Sequence, residues 1–250
     1  MADERIVGRN AVAEALRSGS NISKIYILYS AHGGSLNEIY SMAKRAGVPI
    51  SKVDSKQFAE LTSGLQVNES PQGIVASVSQ IKYFDLSEIV EVSLKKKYPF
   101  LLLLDRIQDP QNFGAILRTA SFFGIDGVVI SREGQAPLNE TAVKASAGGA
   151  FHIKIARESN LHQTMTYLKE KGFWIATSVV KSPVTIRELD LKLPLAVLLG
   201  NEGSGVRKLL RDKSDFTFSI PQAGRMDSLN VSVATGIICY EIMRQRGGQV

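Results

Sequence analysis

Cysteine is all but missing from this chain of 250 residues, where Cys239 stands alone. One thiol excludes an intrachain disulfide, so a packed core has to hold the fold, and a reducing compartment such as the cytoplasm is expected. Histidine is scarce as well. His32, His152 and His162 are far apart and lack ligand spacing, and there is no HExxH pattern, so no metal site is expected. No apolar run approaches the roughly 20 residues that span a bilayer. The opening Met1-Ala2-Asp3-Glu4-Arg5 leads into no apolar stretch of the signal-peptide kind. Membrane insertion is therefore not expected. A Walker A sequence is absent, and Gly200-x-x-Gly203-x-Gly205 lacks the glycine spacing of a dinucleotide fingerprint. Nor is there an internal repeat, a low-complexity segment or a basic tail. The net charge of +6, with a pI near 9.4, is spread along the chain. Any surface for an anionic partner must then be assembled by folding.

What is present is ordinary for a globular protein: 44% hydrophobic and 22% charged residues. Residues 1–80 read as a compact α/β unit. A helix starts near Arg9, a strand covers 22–28, and a helix covers 36–46 with Gly47 at its end. Strand 49–53, a helix over 55–63 capped by Ser55, and strand 73–78 follow. Residues 81–98 read as a linker with a helical turn or two over 85–94 and a solvated Lys95-Lys96-Lys97 run. From residue 99 to 250 short apolar runs alternate with helical stretches. The strands fall at 100–104, 127–130, 151–155, 173–177, 195–199 and 216–220, and the helices at 112–123, 140–147, 160–171 and 206–213. Continuous apolar strands separated by helices imply a parallel sheet covered on both faces.

The most informative stretch closes the chain. A buried strand runs into Gly200-Asn201-Glu202-Gly203-Ser204-Gly205; a second strand stops at Ile220-Pro221; a helix opens at Ser228, a good N-cap residue. From Leu229 to Met243 that helix is apolar nearly all round, which implies burial on all sides. A polar cluster of Asn201, Glu202, Ser228, Asn230 and Ser232 thus gathers where two strand ends meet a helix start. Ligands bind at such places in open α/β sheets.

Together with Leu104-Asp105-Arg106-Ile107-Gln108-Asp109-Pro110-Gln111-Asn112-Phe113-Gly114-Ala115-Ile116-Leu117-Arg118-Thr119-Ala120 upstream, these two motifs resemble the three motifs of the SpoU (TrmH-type) family. Members are S-adenosylmethionine-dependent RNA ribose 2′-O-methyltransferases. The resemblance covers about 130 residues from Phe100 onward. It implies a SPOUT methyltransferase domain whose C-terminal segment makes a deep trefoil knot, an exception to the usual rules of chain connection, and a homodimer formed through this domain. Residues 1–80 are similar to the RNA substrate-binding domain of the RlmB branch, through Gly8-x-Asn10-Ala11-Val12-x-Glu14-Ala15-Leu16 and Gln72-Gly73-Ile74-Val75-Ala76. Histidine is expected where Asn10 and Pro71 stand. That branch methylates a guanosine in 23S ribosomal RNA, which makes ribosomal RNA the implied partner. Another ribosomal or transfer RNA nucleotide, or an RNA-binding ribosome-assembly protein without catalysis, are the alternatives.

Methyl transfer to a ribose hydroxyl needs the cofactor held with its methyl exposed, the 2′-oxygen in line with it, and help in losing a proton. The resemblance places Arg118 at the reacting ribose. A guanidinium stays protonated, so stabilisation of the developing oxyanion suits it better than the role of a base. The resemblance also assigns Asn112 to the site. Glu202 is expected to orient Arg118 or a group of a partner chain, and Ser228 and Asn230 to fix the pocket's substrate or cofactor side. Backbone groups of Gly200, Ile220 and Leu229 are expected to hold S-adenosylmethionine, with Thr177-Ser178 lining the same pocket.

Overall fold

The computed structural model describes residues 4–17, 22–63, 71–78 and 82–247. It divides into two compact units: 1–82 together with 137–140, and 83–136 together with 141–250.

The first unit contains β1 (Glu4–Val7), α1 (Arg9–Arg17), β2 (Ile22–Leu28), α2 (Gly34–Ala46), β3 (Ile50–Val53), α3 (Ser55–Thr62) and β4 (Ile74–Val78). Its sheet has the order β1-β4-β2-β3, with only β2 and β3 parallel. β1 was not expected: four residues are too few to show periodicity, and pairing with β4 makes them a strand. α2 ends as expected, with Gly47 in the left-handed region and its N–H on the last turn. α3 is capped by Asp54 and not by Ser55. The carboxylate of Asp54 accepts from Gln57 N–H at 2.8 Å, and Ser55 is already the first helical residue. α1 and α2 bury Val12, Ala15, Leu36, Ile39 and Ala43 against Ile25, Ile27, Ile74 and Ala76.

The second unit continues with α4 (Leu86–Ser93), β5 (Phe100–Asp105), α5 (Pro110–Phe122), β6 (Gly127–Ser131), α6 (Glu140–Ala145), β7 (Ile155–Glu158), α7 (Leu161–Glu170), β8 (Trp174–Ser178), β9 (Leu195–Gly200), α8 (Lys208–Asp212), β10 (Phe216–Phe218) and α9 (Val231–Gln245). The sheet order is β10-β8-β9-β5-β6-β7, and every neighbouring pair is parallel. The sheet is the expected one. β5 and β9 lie in its middle with Phe100 to Leu104 and Leu195 to Leu198 all at 0% exposure. Leu101, Leu103, Ala196 and Leu198 pack with α4, α7 and Leu210 of α8. The alternate residues point to the face covered by α5 and α9. α4 lies inside the expected linker, yet it buries Ile89 and Val90 in this core.

Two expectations for this unit fail. Residues 151–155 do not form the expected strand. Residues 149–151 make a 3₁₀ turn and Phe151 is half exposed, while β7 starts at Ile155 because its register is set by Val128↔Ile155 pairing with β6. α9 is not buried all round either. Val231, Thr235, Ile238, Cys239 and Ile242 face the core, but Val233, Ile237 and Tyr240 are exposed, Tyr240 by 62%. Cys239 is a buried core thiol that burial pushes up to about 12, so it is inert. The C-terminal end of α9 is anchored by Arg246. Its guanidinium is buried and donates to the carbonyls of Leu191, Tyr98 and Leu193 at 2.9, 2.8 and 2.9 Å.

Candidate active site

Parallel pairing brings the C-terminal ends of β5, β9 and β8 to one edge of the sheet. The chain leaves β9 at Gly200 and folds straight back on itself. Asn201 and Gly205 exchange both main-chain hydrogen bonds, at 3.1 and 2.9 Å, and Gly205 has φ +68°. Gly200 lies against this hairpin so closely that a β-carbon would stand 2.2 Å from Gly205 C and Val206 N. Inside the loop the Asn201 side chain replaces missing backbone partners. Its Oδ1 accepts from Gly203 N and Ser204 N, at 2.9 and 3.1 Å, and its Nδ2 donates to Arg106 O at 3.0 Å. The far end of the loop is clamped to β5. Buried Asp105 accepts from Arg207 N at 3.0 Å and from Arg207 Nε at 2.8 Å, a charge-assisted pair at the end of the central strand.

Three of the expected residues meet here. Asn230, and not Ser228, caps α9: its Oδ1 accepts from Ser232 N and Val233 N, at 2.9 and 3.4 Å. With the oxygen committed to the cap, the amide nitrogen has to point away, and Nδ2 donates to Asn112 Oδ1 at 2.9 Å. Asn112 must then turn its own Nδ2 outward, and it donates to Glu202 Oε1 at 3.1 Å. The result is a one-way relay of amides from the start of α9 to a carboxylate, joining residues 90 and 118 positions apart. Asn112 is itself placed by the Asp109 cap of α5.

Glu202 makes no hydrogen bond or ion pair with Arg118 among the described residues; its two oxygens accept from Asn112 and, at 3.3 Å, from Asn201 Nδ2. Arg118 lies further along α5, exposed, and its side chain makes no hydrogen bond or ion pair among the described residues. The helix at that point is flanked by a turn that sequence reading passed over, Ser146-Ala147-Gly148-Gly149-Ala150. A β-carbon on Gly149 would lie 2.9 Å from Arg118 Cα, and one on Gly114 would lie 2.3 Å from Ala142 O. Ser146, fully buried, ties the turn through Val143 O and Ala150 N. The run of small residues was the signal that a backbone packs closely there.

Beside the loop opens a cavity of about 860 Å³. Gly200, Ile220 and Leu229 all line it, with Glu202, Ser228, Ser178 and Lys181; Thr177 does not. Instead, Thr177 is buried with its hydroxyl 2.5 Å from that of Ser214. Asn112, Arg118 and Asn230 also lie outside the lining, so Glu202 is the link between relay and cavity. The main chains of Ile220 and Leu229, both lining residues, make no hydrogen bond among the described residues, which leaves N–H and C=O groups free at the edge of a space of ligand size. Ser228 sits in the exposed loop before α9 and its side chain makes no hydrogen bond among the described residues. Gln222 braces this loop by donating to Gly224 O, at 3.0 Å, and to Met226 O. Among the described residues no group of histidine, cysteine, aspartate and glutamate could hold a metal ion, and no helix is long and apolar enough to cross a membrane.

This chain is similar to known proteins. Residues 99–240 match the SpoU rRNA Methylase family, and residues 5–84 match the RNA 2′-O ribose methyltransferase substrate-binding family. A Bacillus subtilis protein, YacO, assigned by its name to the TrmH family of tRNA/rRNA methyltransferases, is 35% identical over 96% of this chain and 95% of its own. A Staphylococcus saprophyticus protein named for the same family is 38% identical over 96% and 95%. Among solved structures, the AdoMet-bound rRNA methyltransferase of Sinorhizobium meliloti superposes with a TM-score of 0.61 at 28% identity, covering 96% of this chain and 86% of that one.

Proposed function

The chain belongs to the SpoU methylase family, and from that membership we propose that it methylates the ribose 2′-oxygen of a guanosine in 23S ribosomal RNA. It is an S-adenosylmethionine-dependent RNA methyltransferase. When bound, S-adenosylmethionine supplies an electrophilic methyl on a sulfonium. The pocket beside the 200–205 loop suits it in size and in its free main-chain groups at Ile220 and Leu229. Those groups and Gly200 would hold the nucleoside part. Asn112 and Asn230 would position the ribose, with Ser228 on the opposite wall, and Glu202 would hold Asn112 in one orientation. Arg118, uncommitted and exposed, would stabilise negative charge as it builds on the 2′-oxygen. Residues 1–80 would bind the RNA substrate, 81–98 would connect, and 99–250 would carry the chemistry, in the cytoplasm.

The observation that carries this reading is the amide relay, which joins three distant motifs at one carboxylate on the pocket wall. The test is to incubate the protein with labelled S-adenosylmethionine and protein-free ribosomal RNA or bulk transfer RNA, then map ribose methyls. A 2′-O-methylguanosine in 23S RNA is expected. Label confined to transfer RNA would overturn the ribosomal assignment, and no label in either would overturn the activity.

The relay makes its own prediction. Asn230→Asp keeps the cap but replaces the donor facing Asn112 Oδ1 with an acceptor. Melting temperature should hold, while the single-turnover rate falls roughly tenfold, about the 1.4 kcal/mol of one misplaced hydrogen bond. An unchanged rate would leave Asn230 as a cap alone.

We also propose a homodimer through α9. Val233, Ile237 and Tyr240 present an apolar face that is exposed in the single chain, and Phe122 of α5 is 82% exposed. Sedimentation equilibrium should give a dimer at micromolar concentration and a monomer for Ile237→Asp with Tyr240→Glu. A monomeric parent protein would refute this.

A further inference from the structure

We propose that Arg106 is a phosphate-binding residue that seats the RNA strand beside the Asn112–Glu202 pair; the proposal rests on the reading of the chain as an RNA methyltransferase. Arg106 follows the last residue of β5 and has φ +62°, a region that side chains larger than glycine disfavour. Both of its main-chain groups are in use. The N–H donates to Ser131 Oγ at 3.1 Å, and the carbonyl accepts from Asn201 Nδ2 at 3.0 Å. The junction of β5, β6 and the 200–205 loop therefore demands this backbone shape. Glycine would supply it with less strain, so the shape does not explain an arginine.

The side chain does not stabilise the junction through its charge either. Its stem lies along Gly134, where a β-carbon would be 3.1 Å from Arg106 Cγ and 3.2 Å from Cδ. The guanidinium beyond it makes no hydrogen bond or ion pair among the described residues. Asp105 is engaged by Arg207, Glu202 by Asn112 and Asn201, and Asp109 by the α5 cap, and Glu133, exposed next to Gly134, makes no ion pair with Arg106. What remains is a held stem and a fork of donors with no ion-pair partner among the described residues. It stands one hydrogen bond from the loop that carries Glu202. A planar guanidinium fork matches two phosphate oxygens, and contacts to phosphates fix where a strand lies without reading its sequence.

The test uses the full chain with Arg106→Gly and Arg106→Lys. Binding of radiolabelled, protein-free ribosomal RNA is measured by filter retention across a salt series, S-adenosylmethionine binding by calorimetry, and stability by thermal melting. Arg106→Gly should weaken RNA binding about tenfold and make the slope of log affinity against log salt shallower by about one. Arg106→Lys should keep the slope and lose only a few-fold in affinity. Both should bind S-adenosylmethionine as the parent protein does, and the glycine variant should melt no lower. RNA affinity within about twofold and an unchanged slope for Arg106→Gly would overturn the proposal while leaving the methyltransferase reading in place. Weakened S-adenosylmethionine binding with an unchanged RNA slope would place Arg106 on the cofactor side and overturn it too. If the parent protein itself retains no RNA, the broader reading falls, and this proposal with it.

Discussion

Arg118→Ala will lower the single-turnover methylation rate at least a hundredfold, about 2.7 kcal/mol of transition-state stabilisation. That is the lower end of what losing one preorganised oxyanion donor costs. The structure sharpens the expectation, because Arg118 is exposed and unpartnered among the described residues. Removing a surface side chain of that kind should move stability by no more than about 0.5 kcal/mol. Rate loss without stability loss is therefore the signature. S-adenosylmethionine affinity should stay where it is, since Arg118 does not line the cavity. Lysine at 118 should restore little, because it keeps the charge and loses the planar fork. The measurement is a rate on folded protein saturated with RNA and cofactor. A value within about threefold of the parent would remove Arg118 from the mechanism and leave Asn112, Glu202 and Asn230 to account for it.

Gly200→Ala should raise the dissociation constant for S-adenosylmethionine at least a hundredfold, about 2.7 kcal/mol. The cause is internal. The new β-carbon would stand 2.2 Å from the main chain at Gly205 and Val206, which cannot swing aside as a flexible side chain could. The hairpin has to move, and with it Glu202, Gly203 and Ser204, which line the cavity. The apo protein should also melt several degrees lower, since the Asn201–Gly205 bonds and the Asp105–Arg207 clamp are strained together. A glycine needed only for close approach of the ligand would behave differently. Cofactor binding would weaken while the apo protein melted normally, and that result would assign Gly200 to the ligand.

The strand runs at 100–104 and 195–199 were legible because continuous apolar residues of strand length suit only a sheet covered on both faces. The candidate residues were legible because their motifs are dense and specific. The start of α9 was not, since Ser228 and Asn230 are both good capping residues by type. Asn230 is the one that caps, and its amide also reaches Asn112, 118 positions away. The exposed face of α9 was invisible for a related reason. Val233, Ile237 and Tyr240 are as apolar as the residues that reach the core, and periodicity does not say which side meets the sheet.

The sequence by itself determined the α/β alternation, the family and the short list of candidate side chains, because these follow from local pattern. Tertiary structure alone decided who meets whom: Glu202 with Asn112 in place of Arg118, Asp105 with Arg207, Arg106 held open beside the glycine-rich loop. Those pairings depend on the parallel register that sets Asp105 opposite Gly200. That register comes from the burial of whole strands, to which residues far apart in the chain contribute together.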